Sequence, residues 1–115
     1  MTEAEVARLA LAQPAAAVTV QWGGSQVFKV GGKMFAVLGL GGGLSIKVSE
    51  IAFAALTESG RARPAPYLAR AGWVRIDDLD DLDPEETGAW MAQAHALVSA
   101  RLTRKVRREL GLERG

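Results

Sequence analysis

The sequence predicts an α+β two-layer sandwich: one antiparallel sheet with helices packed on one face, in the order α–β–β–β–β–α–β–α. Three observations predict it. Apolar and polar residues alternate through positions 17–48 and again at 73–77, with Gly-Gly pairs between the runs, which is strand and hairpin patterning. Apolar residues at three- and four-residue steps bracket those runs at both ends. A length of 115 residues with 49% apolar and 23% charged residues suits a single soluble domain able to bury a core.

Thr2 followed by Glu5 has capping-box spacing, and Val6, Leu9 and Ala10 fall on one helical face behind it. A helix is expected over 2–13, ended by Pro14, which lacks an N–H and disfavours helical geometry in the residue before it. AVTVQW, SQVFKV, KMFAVLGL and LSIKV then read as strands. If Gly31-Gly32 and Gly41-Gly42 are two-residue turns, Val30 opposes Lys33, Phe28 opposes Phe35, Leu40 opposes Gly43 and Val37 opposes Ile46. One face then collects Phe28, Val30, Phe35, Val37, Leu44, Ile46 and Val48 as core. The other collects Val27, Lys29, Met34, Ala36, Leu38, Ser45 and Lys47, a mixed face suited to a sheet covered on one side.

Ser49 caps a second helix, EIAFAALTES, with Ile51, Ala54, Ala55 and Glu58 along one side and Gly60 as its stop. Pro64 and Pro66 impose an extended or turning segment. In WVRID, Val74 and Ile76 point to the core, so Trp73, Arg75 and Asp77 point outward. Asp83, Pro84 and Glu86 supply cap, first helical position and box for the last helix. Its stripe of Trp90, Met91, Ala94, Leu97, Val98, Leu102, Val106 and Leu110 runs to Gly111. The domain is therefore placed at 1–103, with 104–115 as a basic helical extension or tail expected to be partly ordered.

Charge is segregated although the net value is only +1. Bases dominate from Gly23 to Arg75, acids alone fill Asp77 to Glu86, and Arg101, Arg104, Lys105, Arg107 and Arg108 make the tail basic again. The chain has no cysteine, which excludes disulfides, thiolate nucleophiles and thiolate metal ligands. Its N-terminus carries Glu3 and Glu5 and lacks the basic start of a secretory leader. The most apolar segment, MFAVLGLGGGL, is too short and glycine-rich to span a bilayer. A cytoplasmic protein without membrane contact is expected.

No motif supplies an enzyme or a cofactor site. Val27 and Met34 stand where a P-loop ending at GGK needs its first glycine and its Ser/Thr. Counted from Asp78, the acidic run has Asp83 at the sixth position of a calcium loop and Ala89 at the twelfth, so glycine and glutamate are both missing. Those acids read as a solvated lip that complements a helix N-terminus. His95 is the only histidine and lies mid-helix, with no thiolate to pair with. No catalytic residue, metal ligand or cofactor is assigned.

The strings VFKVGGKMFAVL, LSIKVS, PYLARAGWVRID and AHALV, in that order, resemble the MmcQ/YjbR family from about residue 3 to about 103. The resemblance implies a frataxin-like (CyaY-like) α/β fold, also described as a double wing. It further implies a DNA-binding role that has been suggested on structural grounds, within a family whose biochemistry is largely unassigned. Tyr67, Leu68, Arg70 and Trp73 match the family's run before its final strand. Ala69 and Gly72 replace the asparagine and histidine usual there.

The outer sheet face would present Lys29, Ser45, Lys47, Trp73 and Arg75, with Arg63, Tyr67 and Arg70 on the adjacent loop. Cations track phosphates and aromatic faces stack on bases, so these types together suit nucleic acid. The same pattern also describes a solvated face whose basic stems cover apolar surface, with Trp73 lying against the loop. The candidate nucleic-acid-binding residues are Lys29, Lys47, Arg63, Tyr67, Arg70, Trp73 and Arg75. The functional expectation is a non-enzymatic module contacting DNA with little sequence specificity; the alternative is a protein- or ligand-interaction module docking on an acidic protein partner.

Overall fold

The computed structural model describes residues 1–113. They form α1 (Glu3–Leu11), β1 (Ala17–Gln21), β2 (Ser25–Val30), β3 (Lys33–Leu38), β4 (Leu44–Lys47), α2 (Glu50–Glu58), β5 (Arg63–Pro64), β6 (Trp73–Ile76), α3 (Pro84–Ser99) and α4 (Arg104–Glu109). The six strands pair antiparallel in the order β1-β2-β3-β4-β6-β5. α3 lies across β2, β3 and β4, α1 packs on α3 and β3, and α2 covers the β5–β6 edge. All three occupy one face, so the two-layer α+β sandwich is the fold.

Thr2 caps α1 with both bonds of the box: Glu5 N–H to Thr2 Oγ1 at 3.1 Å, and Thr2 N–H to the Glu5 carboxylate at 2.9 Å. Val6 and Ala10 are fully buried, as their spacing requires. Between β2 and β3 the Gly31-Gly32 turn has positive φ at both residues, which suits the primed turns that match strand twist.

Strand parity departs from expectation at one residue. Val30 pairs with Lys33 and Lys29 with Met34, but Phe28 pairs with Ala36, leaving Phe35 as the extra residue of a β-bulge. Phe35 and Ala36 both lie in the core under the helices. Every side chain beyond them is inverted: Leu38 enters the main core, whereas Val37 turns to the outer face and pairs with Ser45 instead of Ile46. The β3–β4 connection is a five-residue loop, Gly39 to Gly43, closed by Gly39 N–H to Gly43 O at 3.1 Å. It is not a two-residue turn at Gly41-Gly42.

Two helices also differ. Ser49 caps α2 as expected, its Oγ accepting from Ala52 N–H, but Ile51 is 84% exposed and Ala52, Phe53 and Leu56 face the core. The helix offers two apolar stripes, and the one carrying Phe53 buries more area. The last helix is broken rather than continuous. α3 ends where the Ser99 hydroxyl donates to the His95 carbonyl at 2.6 Å. Leu102 then packs onto Gly31, where a Cβ would lie 2.7 Å from its Cδ1. Thr103 caps α4, and Arg107 donates back to the carbonyls of Ala100 and Leu102 at 3.2 Å each. The tail is thus folded onto the domain, with Val106, Leu110 and Leu112 against the core; positions 114 and 115 lie outside the described residues. Asp83 caps α3, but Glu86 pairs with Arg61 instead of completing the box.

Candidate nucleic-acid interface

The centre of the outer sheet face is closed. Val27, Val37, Ala65 and Trp73 form a second, smaller core on that side, with Met34 and Leu68 packed against it. Pro64 pairs with Val74, Ala65 N–H donates to Trp73 O, and the following turn folds the loop back over the strand. Trp73 therefore faces outward as its alternation demands but is only 4% exposed. This corrects the expectation that it stacks on a ligand: its ring packs the loop to the sheet.

Arg63 and Arg75 are likewise engaged. Arg63 holds Asp77 with two bonds, 2.6 and 2.9 Å, and Arg75 Nε adds a third at 2.7 Å. The two guanidiniums, Arg63 first, hold the Asp77 carboxyl well below the usual carboxylate range. Arg75 is 8% exposed because its guanidinium lies along the glycine loop. A Cβ would stand 2.9 Å from it at Gly43 and 3.2 Å at Gly41. These two arginines tie β5, β6 and the Gly39–Gly43 loop together. Sequence pattern alone gave them the same standing as Lys47, since alternation places Arg75 and Asp77 on one face without recording that they pair, and does not record that Arg63 of β5 reaches the same carboxylate.

Lys33, Lys47, Arg70 and Arg101 gather at the rim where β3 starts and β4 ends. Lys47, Arg70 and Arg101 line a cleft of about 500 Å³ with Ser49, Glu50 and Ile51 at the start of α2. A second cleft of about 420 Å³ shares Lys47, Ala71 and Arg101 and adds Lys33, Met34 and Trp73. Lys47 Nζ donates to the Ala71 carbonyl, which steers the side chain along the loop. Burial, reinforced by the Arg101 charge and opposed by Glu50, pushes the Lys47 ammonium below the ordinary lysine value. Among the described residues, no carboxylate forms an ion pair with Lys33, Lys47, Arg70 or Arg101. Lys29, half-buried on β2, is the cross-strand partner of Met34 and borders the same region.

Beyond Met34 the surface becomes apolar. Trp22, Met34, Pro66, Tyr67 and Leu68 line a notch of about 350 Å³ built almost wholly of carbon. Tyr67 is fully exposed and Trp22 is 57% exposed. Both have left-handed backbones, φ 66° and φ 47°. Bulky residues rarely adopt that conformation.

Elsewhere His95, Asp78 and Asp83 have structural partners. His95 is buried, its ring edge-on to Phe35 at 5.8 Å, with Nε2 2.7 Å from the Pro14 carbonyl. A carbonyl only accepts, so Nε2 carries the proton and ties α3 to the α1–β1 link. Asp78 caps a turn through Asp80 N–H and Asp83 caps α3. Among the described residues, no group of three or more His, Asp or Glu is placed to hold a metal ion. No helix of the described residues is long and apolar enough to cross a membrane.

Of the expected residues, Lys47 and Arg70 meet at the rim, Lys29 lies beside Met34, Tyr67 lines the notch, and Arg63, Trp73 and Arg75 serve the fold. Lys33, Arg101 and Trp22 were missed. Arg101 lies four residues after Leu97 of α3, which lines the same cleft, and Trp22 stands out only through its position before Gly23-Gly24.

The YjbR family model matches residues 11–97. Among solved structures, the chain is similar to the crystal structure of Deinococcus radiodurans protein DR2400, described as a DUF419 domain. The two share 25% identity and a TM-score of 0.83, over 97% of this chain and 89% of that one. No curated protein matches the chain.

Proposed function

The chain belongs to the YjbR family, and for this member we propose a cytoplasmic, non-enzymatic binding module that contacts DNA or RNA through the sugar–phosphate backbone, with little sequence specificity. The observation that carries the reading is the convergence of Lys33, Lys47, Arg70 and Arg101 on two adjoining clefts, with no carboxylate paired to any of them among the described residues. Surface cations are commonly neutralised by neighbours; here burial and the nearby Arg101 charge together depress Lys47. A phosphodiester entering the clefts relieves that repulsion. Among the described residues, the helices bring only Glu50, Ile51, Leu97 and Val98 to the clefts, not a run of base-reading side chains, so contacts to phosphate dominate and selectivity among sequences is slight.

The test is fluorescence anisotropy with a labelled oligonucleotide across a salt series, comparing the wild type with Lys47→Ala/Arg101→Ala. Two lost phosphate contacts lower the slope of log affinity against log salt by about 1.4 for a single strand. Affinity near physiological salt falls about tenfold. Lys105→Ala, exposed on α4 away from the clefts, changes neither by more than a fraction of that. Equal affinity and slope in the double variant overturn the assignment. Equal displacement by polyglutamate and by unlabelled strand points instead to an acidic protein partner on the same cations.

A further inference from the structure

We infer that the notch between Trp22 and Tyr67 is a clamp for one unpaired base, so that the ligand of the cationic rim is a single strand rather than a duplex. This rests on the nucleic-acid reading and adds to it a second subsite with different chemistry.

Three observations combine. Tyr67 and Trp22 come from different parts of the chain, the loop after β5 and the β1–β2 turn, yet they line the same carbon-rich notch. Both are held in left-handed backbone, a conformation that costs an aromatic residue stability and that glycine would adopt freely. Gly23 follows Trp22 directly, with φ 74°, so the chain already uses glycine at the neighbouring turn position and keeps tryptophan at the strained one. Two exposed aromatic rings in strained backbone are hard to explain by packing, because Tyr67 is fully exposed.

The notch is also joined to the rim. Met34 lines both the notch and the cleft that holds Lys33, Lys47 and Arg101, and Lys29 is its neighbour on β2. An occupant therefore needs a flat apolar ring on one side of Met34 and negative charge on the other. An unpaired nucleotide has that pattern, with its base on the aromatic rings and its flanking phosphates on the lysines. A duplex keeps its base faces stacked inside and offers the notch only charged backbone. The notch is almost wholly carbon, which suits a base face and not a charged backbone, and no base edge is selected there, since carbon lining reads no donor or acceptor pattern.

Anisotropy with three labelled ligands of equal length tests this: a single strand, the same strand with abasic sites throughout, and the duplex. The proposal expects the single strand to bind about tenfold tighter than the abasic strand, in line with stacking of a base on an aromatic side chain. Tyr67→Gly and Trp22→Gly, which suit the left-handed backbone and should fold at least as stably as the wild type, remove that advantage and leave abasic binding unchanged. Equal affinity for all three ligands overturns the clamp and leaves the phosphate reading standing. Loss of base preference in neither glycine variant also overturns it. Absence of binding to any of the three overturns both readings and turns the notch over to protein partners.

Discussion

Phe35→Ala is expected to cost about 3–5 kcal/mol of folding stability, among the largest losses any single truncation in this chain can produce. Phe35 is fully buried, packs edge-on to His95 and occupies the inserted position of the β3 bulge. Truncation leaves a cavity between the sheet and α3 that the bulged strand cannot close without shifting register. A domain of this size has about 5–15 kcal/mol in all, so the variant stands near the limit of folding at room temperature. Urea denaturation at constant m-value reads the loss directly. Phe35→Leu keeps most of the volume and should cost only about 1–1.5 kcal/mol. If alanine costs less than leucine is expected to, the bulge collapses around the gap and Phe35 is not what fixes it.

That bulge also marks the boundary of what the sequence made legible. The α+β class, the capped starts of α1, α2 and α3, and the Gly31-Gly32 turn follow from local chemistry: a hydroxyl or carboxylate three residues before its amide, or glycine where φ must be positive. A bulge has no such local mark. KMFAVL alternates as well with Phe35 paired as with it inserted, and only the fit of Phe35 and Ala36 together beneath α3 chooses between them. The consequence reaches the site. Inversion of parity after Phe35 sends Val37 outward to Trp73, so the outer face gains a small core of its own and Trp73 is covered.

The basic residues divide on the same principle. Counting charges gave Lys29, Lys47, Arg63, Arg70 and Arg75 equal claims. Which of them keep their charge available depends on where Asp77 points and how bare the backbone is at Gly41 and Gly43. Arg101 enters the group because the end of α3 meets the loop before β6 at the same cleft. These are tertiary facts, each decided by contacts that alternation and charge counts do not record.

Asp77→Asn is expected to cost about 2 kcal/mol at neutral pH, and its dependence on pH identifies the cause. Removing the charge leaves Arg75, mostly buried along the glycine loop, without the carboxylate that offsets its desolvation; breaking one side of a fully buried pair costs about 3–5 kcal/mol. Asp77 itself is 55% exposed, so solvent screens part of the interaction and the smaller figure applies. The folded carboxyl titrates below its unfolded value, held down first by Arg63 and then by Arg75. Its contribution is therefore fully present above the ordinary carboxylate pKa of about 4 and is lost as pH falls through that range toward the folded value. Wild type and variant should differ most near pH 7 and converge as pH drops from about 5 to about 2. A gap that stays constant over that window assigns the loss to hydrogen-bond geometry rather than to charge. The same variant carries a prediction for binding. The neutral amide would no longer offset the field of Arg63 and Arg75 on the outer face, adding one unit of net positive charge at the end of β6 away from the rim, where it acts at long range when salt is low. On the nucleic-acid reading, affinity at low salt then rises while stability falls. The two effects move in opposite directions because Asp77 serves the fold by neutralising cations, whereas the rim on the same side of the sheet leaves its own cations open.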